Sequence, residues 1–216
     1  MKQRLGLFED PFTPDNHKYP LVASDSFVNH SYQIAAEAIT LLKNSNGVLP
    51  ISADKKVFVT GPMANSLTMI NGSWGRTWQG TDEQWDDTTK NTILGAIQAN
   101  FTDVTFEQGC DIDTLIQEKI AYNKAQNSDL IIACMGEFPS TEKPGDIHSL
   151  NLERAQVEYV KGLAKLGKPI VLVLVENRAR VIHEIEPLCE SIVLAYQPSE
   201  NGSDALADVL SGEINP

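Results

Sequence analysis

LIIACM, residues 130–135, is an unbroken apolar run, and GEFPSTEKPGD, residues 136–146, follows it directly. Six apolar residues bounded by loop formers read as a strand buried on both faces of a parallel sheet. Loops that leave the carboxyl ends of such strands are where open α/β sheets hold their chemistry. The second stretch therefore puts carboxylates and two prolines where a catalytic acid could sit, with Glu142 as the candidate. A glutamate on a solvated loop is the ordinary alternative, since loops are normally polar and exposed.

Outward from this run the chain alternates strand and helix. Further strands are expected at 56–60 (KVFVT), 104–107, 169–176 and 191–196. A helix is expected over about 25–44, which Ser24 or Asp25 can cap and in which Ala35, Ala38, Ile39 and Leu42 recur at helical spacing. Others are expected over about 88–99, 112–125, 151–166, 180–188 and 203–210, with a short one near 63–69. Apolar strands separated by such helices signal right-handed βαβ units. The expected fold is a three-layer α/β/α sandwich around a mostly parallel sheet of five or six strands, spanning 25–216. Residues 1–24, with Pro11, Pro14 and Pro20, read as an extended strap ahead of it.

Composition excludes several classes. A formal charge of −12 with no basic run argues against a nucleic-acid partner, because phosphate binding needs clustered Lys and Arg. No apolar segment approaches the roughly 20 residues needed to cross a bilayer. MKQRLGLFEDPF at the start lacks the apolar core of a secretory signal, which decides little if the chain is a piece of a longer one. Cys110, Cys134 and Cys189 are odd in number and widely spaced, so they suggest neither a disulfide framework nor a zinc site. His17, His30, His148 and His183 show no metal-ligand spacing, and no metal or cofactor is expected.

Nucleotide binding, common in doubly wound domains, fails on the first turn. GPMANS, residues 61–66, has neither the Gly-x-Gly-x-x-Gly fingerprint nor the Gly-x-x-x-x-Gly-Lys loop that cradles phosphates. NGSWG, residues 71–75, does not match a Ser nucleophile elbow. The remaining feature is NGSWGRTWQG, residues 71–80, which combines glycines with Trp74, Trp78 and Arg76 on a stretch too irregular for a helix. Tryptophan faces stack on the C–H faces of sugars, and glycines admit close approach to a ligand. Packing of both rings over the end of the sheet is the alternative.

With these motifs in order, the chain resembles the α/β-sandwich domain of glycoside hydrolase family 3, a family of β-glucosidases, β-xylosidases and related exo-acting enzymes. The segments that carry the resemblance are RLGLFEDPF (4–12), AAEAITLLKNSNGVLPI (35–51), SWGRTWQG (73–80), GEFPSTEKPGD (136–146), GKPIVLVL (167–174) and AYQPSENGSDALADVLSGEINP (195–216). The family implies an upstream (β/α)8 barrel with an aspartate nucleophile, to which residues 1–24 would be the strap. The sandwich then supplies the general acid/base, about 5–5.5 Å from the nucleophile in a retaining mechanism.

The resemblance assigns that role to Glu142, with Glu137 as the competing candidate, Asp146 as a shaper of the loop, and Trp74 and Arg76 as sugar-binding residues. It implies a β-linked glucoside or oligosaccharide substrate, and a periplasmic or secreted setting ahead of a cytoplasmic one. A β-xylosidase or N-acetylglucosaminidase-like parent is the alternative within the family. Ile147 stands where members often carry Arg, and Pro198-Ser199-Glu200 replaces a usual Pro-Gly-Glu, which bears on sugar preference. A barrel of about 250 residues has no room in this chain, so the chain alone is expected to be inactive, with Glu142 exposed on a mobile loop. A noncatalytic carbohydrate-binding or interface module and a flavodoxin-like nucleotide domain are the competing classes.

Overall fold

The computed structural model describes residues 1–9, 11 and 23–215. Among them, six strands form one sheet: β1 (Thr40–Asn44), β2 (Lys56–Thr60), β3 (Asp103–Phe106), β4 (Leu130–Gly136), β5 (Ile170–Val175) and β6 (Ser191–Leu194). Their spatial order is β1-β6-β5-β4-β2-β3, with every pairing parallel except the antiparallel β1–β6 edge.

Alternation along the central strands divides the core in two. Phe58, Ile131, Ala133, Met135, Leu172 and Leu174 pack with Ala121 and Ala125 of α4 (Glu118–Ala125) and with Val157, Val160 and Leu163 of α5 (Arg154–Ala164). Val57, Val59, Ile132, Cys134, Val171 and Val173 lie on the opposite face. There they meet α1 (Asp25–Ala38), α2 (Leu67–Asn71), α3 (Ile93–Asn100) and α6 (Gly202–Ser211). Helices on both faces account for β4 and β5 being apolar throughout, since neither face of these strands reaches water. This is the expected three-layer sandwich.

Three expectations are corrected. The helix foreseen over 25–44 stops at Ala38, and the chain then runs as β1 along β6, with a register shift between Leu41 and Lys43. Residues 180–188 are not helical; they hold a bridge from Val181 to Asn151 and a single 3-10 turn at Glu186–Leu188. Helix α4 begins only at Glu118, because Cys110 and Leu115 pair across a bridge that uses up the preceding segment. Of the strap, Lys2–Leu5 forms a 3-10 turn, and most of the rest lies outside the described residues.

The topology also sets where a site can form. The chain steps from β2 outward to β3 on one side, then to β4, β5 and β6 on the other, so its direction of travel reverses between β2 and β4. Crevices outside the carboxyl ends of strands at such a reversal are where open α/β sheets bind ligands.

Candidate functional site

The loop under question begins at Gly136, and two features fix its origin. A Cβ at Gly136 would lie 1.8 Å from the Val175 carbonyl oxygen, so only glycine lets β4 end this close to β5. The wholly buried Gln156 then clamps the strand end. Its amide oxygen accepts from Gly136 N–H at 2.9 Å, and its amide nitrogen donates to the carbonyls of Gly136 at 2.8 Å and Ile112 at 3.1 Å.

Glu142 is exposed, as expected, and has φ 54° and ψ −151°. That region is almost reserved for glycine and costs about 1–3 kcal/mol, so surrounding contacts must hold it. They do so on both sides. Before Glu142, the backbone of Thr141 is bracketed by Gln79, whose amide oxygen accepts the Thr141 N–H and whose amide nitrogen donates to the Thr141 carbonyl, both at 3.1 Å. The Trp74 indole N–H donates to the Thr141 hydroxyl at 3.0 Å. Asn177 donates to the Ser140 carbonyl at 2.7 Å. After Glu142, a 3-10 turn at Lys143–Gly145 is closed by the Asp146 N–H on the Lys143 carbonyl, and the Asp146 side chain points into an exposed position.

Glu137 occupies a different environment. It is 6% exposed and sits between two guanidinium groups. One carboxylate oxygen accepts from the backbone N–H groups of Asn177 and Arg178 and from Arg178 Nε at 3.2 Å. The other accepts from Arg180 Nη1 at 3.0 Å. Both oxygens are thus engaged from within the protein, while the Glu142 carboxylate is open to whatever approaches the sheet edge. Beside this cluster lies Glu176, also buried, with Oε1 accepting from Arg180 N–H at 3.2 Å and Oε2 without a hydrogen-bond partner among the described residues. Burial, then the nearby negative charge of Glu137, pushes the Glu176 carboxyl up to about 7.

Trp74 and Trp78 are 65% and 49% exposed. Their loop is closed by the Trp74 N–H on the Trp78 carbonyl at 3.1 Å, with Trp74 at φ 59°. At Gly80 a Cβ would fall 2.2 Å from the Gly72 carbonyl oxygen, which is the close approach that folds the loop on itself. Arg76 pairs with Glu200, on the segment between β6 and α6. The structure therefore brings the tryptophan loop against the Glu142 loop through Thr141, while Arg76 is committed to the neighbouring loop. Reading of the sequence missed Gln79, Thr141, Gln156, Glu176 and the Arg178–Arg180 pair. A signal existed for part of it: Glu137 and Glu176 each stand at the polar end of a wholly apolar strand, and two arginines follow the second.

Comparison with known proteins places the chain. The family model described as the glycosyl hydrolase family 3 C-terminal domain matches residues 39–216. The lysosomal beta glucosidase of Dictyostelium discoideum is 34% identical over all of this chain, which covers 28% of that protein. A beta-xylosidase of Formosa agariphila is 28% identical, again over all of this chain and 30% of its own length. In structure, the beta-glucosidase of Listeria innocua in complex with isofagomine superposes with a TM-score of 0.87 over all of this chain and 30% of the other, at 24% identity, which speaks to the fold. The chain spans under a third of the length of the relatives it matches. On its sequence and its architecture together, this chain belongs to the glycosyl hydrolase family 3 C-terminal domain.

Proposed function

We propose that this chain supplies the general acid/base and part of the sugar subsite of a retaining, exo-acting β-glycosidase whose nucleophile lies on a barrel ahead of it. The observation that carries this reading is Glu142, an exposed carboxyl held at a strained backbone position and hydrogen-bonded through its neighbour Thr141 to the tryptophan loop. Backbone strain of this kind persists only where surrounding contacts over-determine it, and it clusters at active sites and ligand clamps. Glu137, whose oxygens are engaged by Arg178 and Arg180, is the poorer candidate for that role on this geometry.

In this reading Glu142 protonates the departing oxygen and later draws the proton from the water that releases the sugar. Trp74 and Trp78 offer apolar faces to the leaving-group side, and Arg76 supports the rim through Glu200. Residues 1–24 link to the barrel, and residues 25–216 form the sandwich. The substrate is a β-glucoside or β-linked oligosaccharide. A β-xyloside is the second reading, favoured by the similarity to a beta-xylosidase. A compartment outside the cytosol fits the similarity to a lysosomal enzyme.

The test uses the complete polypeptide and a series of aryl and alkyl β-glucosides. Glu142→Ala should lower kcat/KM most for poor leaving groups, which need a proton, and least for a dinitrophenyl glucoside. An equal loss across the series would sink the assignment. The 216-residue chain by itself should turn over none of them.

A further inference from the structure

We propose that Arg178 is a positioning residue that sets the orientation of Glu142, an inference that rests on the acid/base reading above. Its single guanidinium reaches three separate acceptors. Nη1 donates to the Gly145 carbonyl at 2.8 Å, Nη2 to the Ser140 hydroxyl at 3.1 Å, and Nε to Glu137 at 3.2 Å. Ser140 and Gly145 are the two feet of the loop whose crest is Glu142. One planar group therefore ties both feet together and fastens them to a carboxylate at the end of β4.

The feet are already close. A Cβ at Gly145 would lie 3.0 Å from the Ser140 hydroxyl oxygen, and the Gly145 N–H donates to the Glu142 carbonyl at 2.9 Å. A loop so tightly closed can keep a non-glycine residue at φ 54° only while its ends cannot spread. Arg178 supplies that restraint, and Glu137 aims Arg178. The arrangement also depends on shape: a rigid fork meets three acceptors at once, which the point charge of a lysine does not. Glu137 keeps Arg180 and two backbone N–H donors when Arg178 is replaced, so the buried carboxylate stays compensated and the fold should persist.

The experiment compares Arg178→Met, Arg178→Lys, Ser140→Ala and Glu142→Ala in the complete polypeptide. Each is read by kcat/KM on an activated dinitrophenyl β-glucoside and on an alkyl β-glucoside, with Tm alongside. Displacing a catalytic group by about 1 Å can cost on the order of 100-fold. Arg178→Met should therefore lose about that factor on the alkyl glucoside and under about 10-fold on the activated one. Lysine should not rescue it, and Ser140→Ala, which removes one arm, should show the same bias at smaller size. Equal losses on both substrates for the Arg178 variants, with Glu142→Ala still biased, would overturn the positioning role and leave the acid/base reading intact. Absence of bias in Glu142→Ala itself would overturn both.

Discussion

The indole N–H of Trp74 and the hydroxyl of Thr141 meet at 3.0 Å, joining the loop that follows α2 to the residue immediately before Glu142. Trp74→Phe keeps an aromatic face and removes this bond, a change worth about 0.5–1.5 kcal/mol. Trp74→Ala removes the face as well. In the complete polypeptide, KM or inhibitor affinity should weaken further in the alanine variant than in the phenylalanine variant. Equal effects would mean that the ring touches no sugar, and the same pair of substitutions at Trp78 would show which of the two rings matters more.

Glu142 offers a backbone test that needs no substrate. Its φ of 54° and ψ of −151° suit glycine. Glu142→Gly should unfold at higher denaturant than Glu142→Ala by about 1 kcal/mol or more, a reversal of the usual order in which alanine is the more stabilising residue. Chemical denaturation of the two variants checks this. An alanine variant more stable than the glycine one would show that the strain is absent in solution.

Gln156→Leu should be among the costly substitutions. It conserves size but leaves the N–H and carbonyl of Gly136 and the carbonyl of Ile112 without their partner in a dry interior. With about 1–3 kcal/mol for each stranded group and some relaxation, a loss of about 2–4 kcal/mol is expected in urea denaturation. A change under about 1 kcal/mol would mean that water replaces the amide.

Much of this architecture was legible because burial on two faces writes itself as continuous apolar sequence, as in LIIACM and in IVLVLV of β5. Strand β1 was hidden for the opposite reason. Thr40–Asn44 is an edge strand, mostly exposed, and its leucines continue the helical spacing of α1, so only pairing with β6 makes it a strand. The candidate site divides the same way. Glu142 and Trp74 stand out as residue types on loops, whereas the Glu137–Arg178 pair is joined across two parallel strands, a neighbourhood that no local spacing encodes.

Glu176 should make stability depend on pH. Its folded carboxyl titrates near 7, above the usual value of 4.5, so the folded state holds a proton that the unfolded state has already released across that interval. The group is therefore harmless below about pH 4.5, and as pH rises from there towards 7 release of this proton by the unfolded chain takes stability away, by up to ~1.4 kcal/mol for each unit of difference. Glu176→Gln should flatten that part of the stability profile. Identical profiles for the two proteins between pH 4.5 and 7 would count against a buried, proton-holding Glu176.

Parallel pairing of β4 with β5 has a consequence for how the molecule is made. Gly136 and Val175 are register partners, yet the whole of α5 and its connections must be synthesised between them. During translation the loop bearing Glu142 emerges well before the guanidinium that braces it, and such distant pairings form slowly. On the proposed assignment, the Glu142 carboxyl thus acquires its final direction only after the following βαβ crossover has closed, so a partly made chain would carry that carboxyl without the guanidinium proposed to aim it.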